Sequence, residues 1–198
     1  MAATAIQEKI NTPSMIMEKQ KLVSWREFEN KYLTREDNFK YEWVNGLIEK
    51  TPRNMDQKQQ FLYTNLSDFL TDLRLKGQAN GRLLAEVDTF FMDKTHRRPD
   101  IAYFSDMQLK KMAQEINQVP KFVVEVISNK DQINLVHEKM QNYRDAEVEI
   151  IWHIFPLLNE IHVYNGLTMS ICKGNMLCSA EPVIPNFKLS VNQIFKKN

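Results

Sequence analysis

The sequence predicts a protein of mixed α and β structure, built around a β-sheet that is covered by helices. The first observation is the segment FVVEVIS (122–128), which is short, rich in β-branched residues and apolar on both alternating faces, as is typical of a central strand. The second is the pair Asn45-Gly46 between two strand-like segments, a strong signal for a β-hairpin. The third is a helical period of apolar residues over 56–76. Together they favour an α/β architecture of the α+β type.

Length and composition predict a single domain. At 198 residues and 43% hydrophobic composition, the chain can form one packed core, which we assign to 21–198, after a mixed and aperiodic N-terminal arm at 1–20. The formal net charge of +1 provides no overall basic field, so a nucleic-acid partner would need a local patch. No membrane span or signal peptide is recognisable, and Cys172 and Cys178 lack the CxxC spacing of a zinc or redox site. We therefore expect a cytoplasmic protein with reduced thiols and no membrane partner.

The N-terminal half of the chain alternates helices and strands. Ser24 and Glu27 match a capping box, in which each side chain satisfies the other residue's free backbone amide at the start of a helix. The long helix ends near Gly77, because glycine favours helix C-termini. The predicted elements are an N-terminal helix at 24–33, a β-hairpin at 39–51, the helix at 56–76, and strands at 82–92 and 98–104.

The C-terminal half centres on the strand that carries Glu125. A polar helix is predicted before this strand and a second helix after it, followed by a tight pair of strands. Pro182 and Pro185 interrupt any longer element near the end of the chain, which we expect to be irregular β structure. The predicted elements are a helix at 106–118, strand 121–128, a helix at about 131–146, and strands at 148–155 and 160–165.

Glu125 is the charged residue of an otherwise apolar strand, and an ionised carboxylate is almost never buried without a partner. It is therefore a metal ligand, a catalytic group, or half of an ion pair with Lys139 or Arg98. Asp100 follows Pro99 where the preceding strand starts, and by itself would be a turn or strand-capping residue. Only a helix separates the two strands, so we expect them to be neighbours. Two close carboxylates need a shared proton or a cation, and oxygen-only ligands suit Mg²⁺ bound by Asp100 and Glu125.

Lys139 lies two to three turns into the helix that follows Glu125. Its long side chain could return over the end of the strand, position an attacking water and stabilise charge that develops on a phosphate. The alternative is an ordinary lysine whose charge reaches into solvent. Tyr143 follows on the same helix face at i+4. Glu42, in the hairpin, could add a carboxylate from the other side or remain an exposed strand residue.

Three further features have competing interpretations. His153 and His162 are expected to face each other across the 148–165 hairpin, either as a structural pair or as part of a zinc site that lacks two recognisable ligands. Trp152 is predicted to pack in the core or in an interface. The basic segment 96–98 would contact phosphate or form a solvated loop.

Several blocks carry a family resemblance. They are YEWVNG, RRPDIAYF, KFVVEVIS, the helix with Lys139 and Tyr143, IIWHIFP and IHVY. In this order they resemble the Uma family of restriction-endonuclease-like nucleases, part of the PD-(D/E)xK superfamily, over roughly residues 24–195. The resemblance implies a restriction-endonuclease-like core with a mixed β-sheet flanked by helices. It also implies that Asp100 and Glu125 bind a divalent metal, Mg²⁺ or Mn²⁺, with Glu42 at the mouth of the site.

The sequence departs from the family pattern at three places. The simplest form of the superfamily has a lysine two residues after the glutamate, where this chain has Ile127, so we infer that Lys139 is a migrated lysine. Leu135 stands where the family often has an aspartate, four residues before that lysine. Glutamines occupy 57, 59 and 60, where the family often has a histidine near the start of the long helix.

The sequence therefore predicts a Mg²⁺-dependent endonuclease that hydrolyses DNA phosphodiester bonds with Asp100, Glu125, Lys139 and Glu42. Two alternatives stay open. One is a catalytically silent member of the same fold that binds nucleic acid or protein, and the other is a hydrolase of another phosphorylated substrate. A homodimer would supply the two active sites that cleavage of both DNA strands requires.

Overall fold

A computed structural model describes residues 21–52, 57–128 and 131–197, without the side chains at 57 and 58. The predicted arm at 1–20 lies outside the described residues. Within them, none of the helices combines the length and the apolar composition needed to cross a membrane.

Five α-helices and twelve β-strands make up this part of the chain. In chain order they are α1 (Trp25–Phe28, continued by a π-helical turn at Glu29–Leu33), β1 (Phe39–Val44), β2 (Leu47–Pro52), α2 (Gln57–Leu75), β3 (Arg82–Ala85), β4 (Thr89–Met92), β5 (Thr95–Arg97), β6 (Ile101–Phe104), α3 (Asp106–Met112), β7 (Phe122–Val126), α4 (Ile133–Asp145), β8 (Ile150–Phe155), β9 (Glu160–Asn165), β10 (Thr168–Lys173), β11 (Leu177–Ser179), β12 (Lys188–Ser190) and α5 (Val191–Ile194).

The large sheet has six strands in the order β10-β9-β8-β7-β6-β3. Strands β7 and β8 run parallel and the other neighbours run antiparallel, so the sheet is mixed, as predicted. Side chains of β7 alternate between two buried layers: Val124 packs in the cluster that contains α2, and Val123 packs with Tyr143 of α4. Because Glu125 has the same parity as Val123, it lies on the face that α4 covers. The predicted sheet with helices on its faces is confirmed.

The hairpin sheet has four antiparallel strands in the order β2-β1-β5-β4. Asn45 and Gly46 have φ angles of 51° and 88°, which confirms the predicted hairpin turn with positive φ at both central positions. Aromatic side chains of α1 and β1 close one side of this sheet, in a third core cluster around Phe28, Tyr41 and Trp43. The hairpin is therefore part of a second sheet and does not stand alone.

The predicted strand at 82–92 is wrong as a single element. Glu86 has a φ of 48°, which interrupts extended structure, so β3 joins the large sheet and β4 joins the hairpin sheet. The strand predicted at 98–104 begins only at Ile101, since residues 98–100 carry the chain between the two sheets. Single-sequence periodicity misses such a change of sheet because both halves keep the apolar pattern of a strand.

The end of the chain is more regular than predicted. β10 pairs with β9 and forms one edge of the large sheet, and β11 pairs with β12 as a separate ribbon. Ser190 opens α5 with a capping box to Gln193. Pro182 and Pro185 lie in the turns between β11 and β12, in agreement with their predicted role. The predicted helix at 106–118 is also shorter, because α3 ends at Met112.

Candidate active site

Asp100 lies where the chain leaves the hairpin sheet and enters β6. Both oxygens of its carboxylate are held: Oδ1 accepts a hydrogen bond from Lys40 Nζ at 2.7 Å, and Oδ2 accepts one from the backbone N–H of Val126 at 2.8 Å. Strands β6 and β7 pair antiparallel with Ile101 opposite Val124, which confirms that the two predicted strands are neighbours. Asp100 is therefore fixed beside the strand that carries Glu125.

Glu125 is 6% exposed on β7, beneath α4. Its Oε1 accepts a hydrogen bond from the Tyr143 hydroxyl at 2.5 Å and forms an ion pair with Lys139 Nζ at 2.9 Å. Both partners belong to α4 and are one helical turn apart. The strand and the helix that follows it thus supply the buried carboxylate together with its two donors.

Glu42 is 3% exposed on β1, so the exposed-strand alternative for this residue is wrong. Its Oε1 lies 3.0 Å from Lys139 Nζ and accepts the backbone N–H of Arg98 at 2.6 Å, while Oε2 lies 3.2 Å from Arg97 Nη1. Lys139 accordingly joins Glu42 of the hairpin sheet to Glu125 of the large sheet. The alternative in which the Lys139 ammonium reaches into solvent is also wrong.

Sequence reasoning missed Lys40, the second lysine of the site. It precedes Glu42 by two residues on β1, so the two side chains share one face of the strand. This period of two was the available signal, but it gains meaning only once the Glu42 face is known to be buried. The structure therefore brings together all four predicted site residues, Asp100, Glu125, Lys139 and Glu42, and adds Lys40.

Positive charges govern the protonation of two of the carboxylates. Burial by itself would raise the pKa of Glu42, but the charges of Lys139 and Arg97 outweigh it and lower that pKa to about 2. Burial opposes ionisation of Asp100 as well, yet Lys40 and Lys139 hold the pKa of this carboxyl below its ordinary value. Both groups are therefore ionised at neutral pH.

Glu125 behaves differently. Burial raises its pKa above the ordinary value, and although Lys139 acts in the opposite direction, the charge of Asp100 adds to the rise. Burial and then the charge of Glu125 also raise the pKa of Tyr143 well above its ordinary value, so the phenol stays protonated and donates. Glu125 is thus more readily protonated than an ordinary glutamate, in contrast to Glu42 and Asp100.

The basic segment 96–98 does not form the expected phosphate contact or solvated loop. Arg97 is fully buried, is ion-paired with Glu42 and Glu49, and donates to Asn142 Oδ1 on α4 at 2.6 Å from Nη2. Arg98 donates from Nε and Nη2 to the two oxygens of Asp88, at 2.8 and 2.6 Å. Arg97 thus joins the hairpin sheet to α4, and among the described residues the ion-pair partner of Glu125 is Lys139.

A cleft opens over these side chains. Its walls come from β1, β2, α2, β7 and α4, and its lining includes Lys40, Glu42, Asp100, Glu125 and Lys139. The cavity measures about 120 Å³, several times the roughly 10–15 Å³ that one water occupies by the same measure. Solvated ions and the edge of a phosphate group therefore fit beside the carboxylates.

The donors suit a hard divalent cation. Asp100 and Glu125 offer carboxylate oxygens from adjacent strands to one cleft, and Mg²⁺ commonly binds through one or two carboxylates while it keeps several waters. Within the described ranges, no three His, Cys, Asp or Glu side chains are grouped as a metal site. A cation here would thus take few ligands from the protein, as Mg²⁺ does, and would meet Lys40 at Asp100.

The two histidines face each other, as predicted. His153 of β8 lies opposite His162 of β9, and His162 Nε2 is 2.5 Å from Glu160 Oε1. Burial lowers the pKa of His153 to about 4, with His162 adding to the effect, so the imidazole is neutral. Among the described residues no cluster supplies the further ligands of a zinc site, which favours the structural pair. Trp152 is fully buried in the main core, as expected.

A mixed sheet with Asp100 and Glu125 at two adjacent strands and a lysine above them defines a restriction-endonuclease-like protein. The model of the Uma2 family, described as "Putative restriction endonuclease", matches residues 25–192, and the chain belongs to this family. It is similar to the crystal structure of "a putative nuclease belonging to DUF820" from Anabaena variabilis, with a TM-score of 0.67 and 18% identity over 86% of this chain and 96% of that chain. At this identity the likeness shows the fold. No curated protein matches the chain.

Proposed function

We propose that this protein is a metal-dependent endonuclease that hydrolyses phosphodiester bonds of DNA. The observation that carries the proposal is the position of the Lys139 ammonium, 2.9 Å from Glu125 and 3.0 Å from Glu42, in the cleft that Asp100 also lines. A migrated lysine could have pointed anywhere along α4. Its place above the strand carboxylates supports the nuclease hypothesis for a member of a family described as restriction endonucleases.

In this proposal Asp100 and Glu125 hold Mg²⁺ or Mn²⁺. When bound, the ion supplies stabilisation of the charge that develops on the phosphate and on the leaving oxygen. Asp100 is pre-positioned for this role by the hydrogen bond from Val126, and Glu125 by the hydrogen bond from Tyr143. Both carboxylates are thereby oriented before a substrate arrives.

Lys139 would position the attacking water and donate to the phosphate oxygens as negative charge builds on them. Glu42 orients this lysine, since its Oε1 is held in turn by the backbone N–H of Arg98. The water would form a new bond to phosphorus and release a proton to solvent, while the bond to the leaving oxygen breaks and that oxygen takes up a proton from solvent. Glu42 is therefore a positioning residue for Lys139, and its carboxylate stays ionised because its pKa is lowered to about 2.

A nucleic-acid substrate follows from the family, and the choice of DNA belongs to the proposal. The charged cleft is walled on one side by the hairpin sheet and on the other by α4. A homodimer completes the proposal because the cleavage of both strands of a duplex requires two such sites.

Plasmid cleavage tests the proposal. We expect nicking and linearisation with Mg²⁺ or Mn²⁺, none with EDTA, and a loss of at least about 100-fold in rate for Asp100→Ala, Glu125→Ala and Lys139→Ala, because each removes a charge at the reacting phosphate. Asp72→Ala is the matched control, since Asp72 is exposed on α2 and pairs with Lys76 one turn away. Cleavage that survives in all three site variants would contradict the proposal.

A second candidate function is a catalytically silent protein that keeps the fold and binds nucleic acid. It is favoured by the ion pairs that already neutralise Asp100 and Glu125 without a metal. This candidate predicts retarded migration of DNA in gels by the wild type and by all three site variants, with no cleavage. Hydrolysis of a phosphate diester such as bis(p-nitrophenyl) phosphate without any plasmid cleavage would instead favour a hydrolase of another phosphorylated substrate.

A further inference from the structure

The ammonium group of Lys40 contacts one carboxylate oxygen of Asp100, a ligand of the proposed metal site. Its Nζ lies 2.7 Å from Asp100 Oδ1, and its side chain is 11% exposed, so the pair is largely shielded from water. The other oxygen of Asp100 already accepts the N–H of Val126. A cation that approaches Asp100 Oδ1 meets the Lys40 ammonium, and two positive charges on one oxygen are strongly unfavourable in a shielded cleft.

The balance of charge favours displacement. We define the buried charge cluster as the carboxylates of Glu42, Glu49, Asp100 and Glu125 with the cations Lys40, Arg97 and Lys139. With Lys40 in place, these four carboxylates and three cations leave one negative charge. Once Lys40 has left its ion pair with Asp100, the groups that remain in direct ion pairs carry two negative charges, which is the charge that one divalent ion neutralises. A divalent ion that replaces Lys40 at Asp100 therefore balances these groups better than the lysine does.

The hairpin offers the displaced ammonium another partner. Thr51 lies directly opposite Lys40 in the β1–β2 register, and both side chains line the cleft. The Thr51 hydroxyl is buried and has no hydrogen-bond partner among the described residues. Side chains of directly opposed residues lie about 4.5–5.5 Å apart at Cβ, well within the reach of a lysine. Rotation about the side-chain bonds of Lys40 can thus move its ammonium from Asp100 to the Thr51 hydroxyl without a change in the backbone.

We propose that Lys40 is a resident counter-cation, which neutralises Asp100 in the metal-free protein and is displaced when a divalent ion enters the cleft. The inference rests on the metal site of the proposed function. It explains how Asp100 stays neutralised without metal, and it makes Lys40 a competitor of the metal. Lys40 thereby sets the metal concentration at which the site fills.

Metal affinity measured on the full chain tests this inference. We expect isothermal titration calorimetry with Mn²⁺ to give a dissociation constant at least about tenfold lower for Lys40→Gln than for the wild type, because the metal no longer breaks a charge-assisted hydrogen bond. Lys40→Arg should stay as weak as the wild type, since it keeps the competing charge. Lys110→Gln is the matched control at an exposed lysine of α3, and Asp100→Asn should abolish binding.

A measurement on the wild type covers the case in which Lys40→Gln fails to fold. Reductive methylation followed by mass spectrometry reports the accessibility of each lysine. We expect Mg²⁺ to raise the labelling rate of Lys40 several-fold, because the ammonium leaves its ion pair, while the rate at exposed Lys110 stays unchanged. A Lys40 rate that is unchanged or lower with Mg²⁺ bound would overturn the inference.

The calorimetric outcomes separate two failures. If Lys40→Gln binds Mn²⁺ no more tightly than the wild type, while Asp100→Asn loses binding, the metal site stands and the role of Lys40 is wrong. If neither the wild type nor Lys40→Gln binds Mn²⁺, the metal site of the proposed function is wrong and the inference falls with it.

Discussion

Lys139 neutralises two carboxylates that come from different sheets. Its ammonium lies about equally far from Glu42 and Glu125, at 3.0 and 2.9 Å, so neither carboxylate holds it alone. A lysine held from two sides has few accessible rotamers, and its charge is fixed before any substrate binds. In this way Lys139 on α4 is held in place without the strand backbone that would orient a lysine at position 127, where this chain has Ile127.

Tyr143 offers a test of how Glu125 is oriented. Tyr143→Phe removes the hydroxyl that donates to Glu125 Oε1 at 2.5 Å and leaves the buried ring in place. Hydrogen bonds to charged groups contribute about 1.5–3 kcal/mol, so we expect single-turnover DNA cleavage to fall about tenfold or more with little change in secondary structure. The measurement is a quenched-flow time course at saturating enzyme.

The matched control for this variant is Tyr103→Phe, because the Tyr103 hydroxyl donates to Asn80 Oδ1 at 3.0 Å. Tyr103 does not line the cleft, so we expect Tyr103→Phe to lower stability without an effect on the cleavage step. Equal rates for Tyr143→Phe and the wild type would show that Lys139 alone orients Glu125.

Sequence reasoning could predict a buried carboxylate, but not its complete surroundings. Glu125 stands out because its neighbours on β7 are apolar, and Tyr143 follows from the i+4 spacing on α4. Lys40 could not be predicted, because a lysine on a hairpin strand is most often exposed and only the contact between the two sheets buries it. The burial of the Arg97 side chain could not be predicted for the same reason.

At the scale of elements, Arg97 joins the hairpin to the rest of the protein. It lies on β5, and its guanidinium contacts Glu42 of β1, Glu49 of β2 and Asn142 of α4. Arg97→Met keeps most of the volume but leaves Glu42 and Glu49 buried without this cation. We expect a loss of about 3–5 kcal/mol in the free energy of unfolding, measured by urea denaturation.

Arg82→Met serves as the comparison, since Arg82 is exposed on β3 and its guanidinium donates to the adjacent Gly81 carbonyl. We expect its free energy of unfolding to stay within about 0.5 kcal/mol of the wild type. A similarly small change in Arg97→Met would mean that Arg97 contributes little to holding the hairpin sheet against α4.

The division of the 82–92 segment shows which elements a sequence cannot define. The apolar pattern continues from β3 into β4, but Glu86 takes a positive φ and the two halves enter different sheets. The strand at Glu125 was predicted closely because it is buried on both faces in one sheet. The local sequence pattern therefore predicts an element well when its environment is uniform along its length, and poorly when the chain passes from one sheet to another.

At the scale of the whole molecule, the buried charge cluster links the hairpin sheet to the large sheet. Glu42 and Lys40 come from one sheet, Asp100 and Glu125 border the other, and Lys139 connects them from α4. Apolar clusters lie on both faces of the large sheet and within the hairpin sheet. The junction between the sheets thus combines these ion pairs with the apolar packing of Phe91 on β4 against Tyr143 on α4, so the stability of the fold should depend in part on pH.

Glu42 allows the direction of this pH dependence to be derived. Its pKa is lowered from 4.5 to about 2 in the folded protein, so its stabilising effect is fully present above pH 4.5 and is lost as the pH falls towards 2. The shift corresponds to roughly 3 kcal/mol. Glu125, whose pKa is raised by burial, contributes with the opposite sign. We expect the wild type to lose stability between pH 4.5 and 2.

Substitution of Glu42 should remove this part of the acid sensitivity. Glu42→Gln leaves Lys139 and Arg97 with fewer counter-ions, so we expect lower stability than the wild type at pH 7 but a flatter decline towards pH 2, measured by urea unfolding at each pH. Glu27→Gln, at an exposed ion pair with Lys31, should keep the slope of the wild type because such pairs contribute little. If Glu42→Gln and the wild type lose stability in parallel, the junction between the sheets is held by groups other than Glu42.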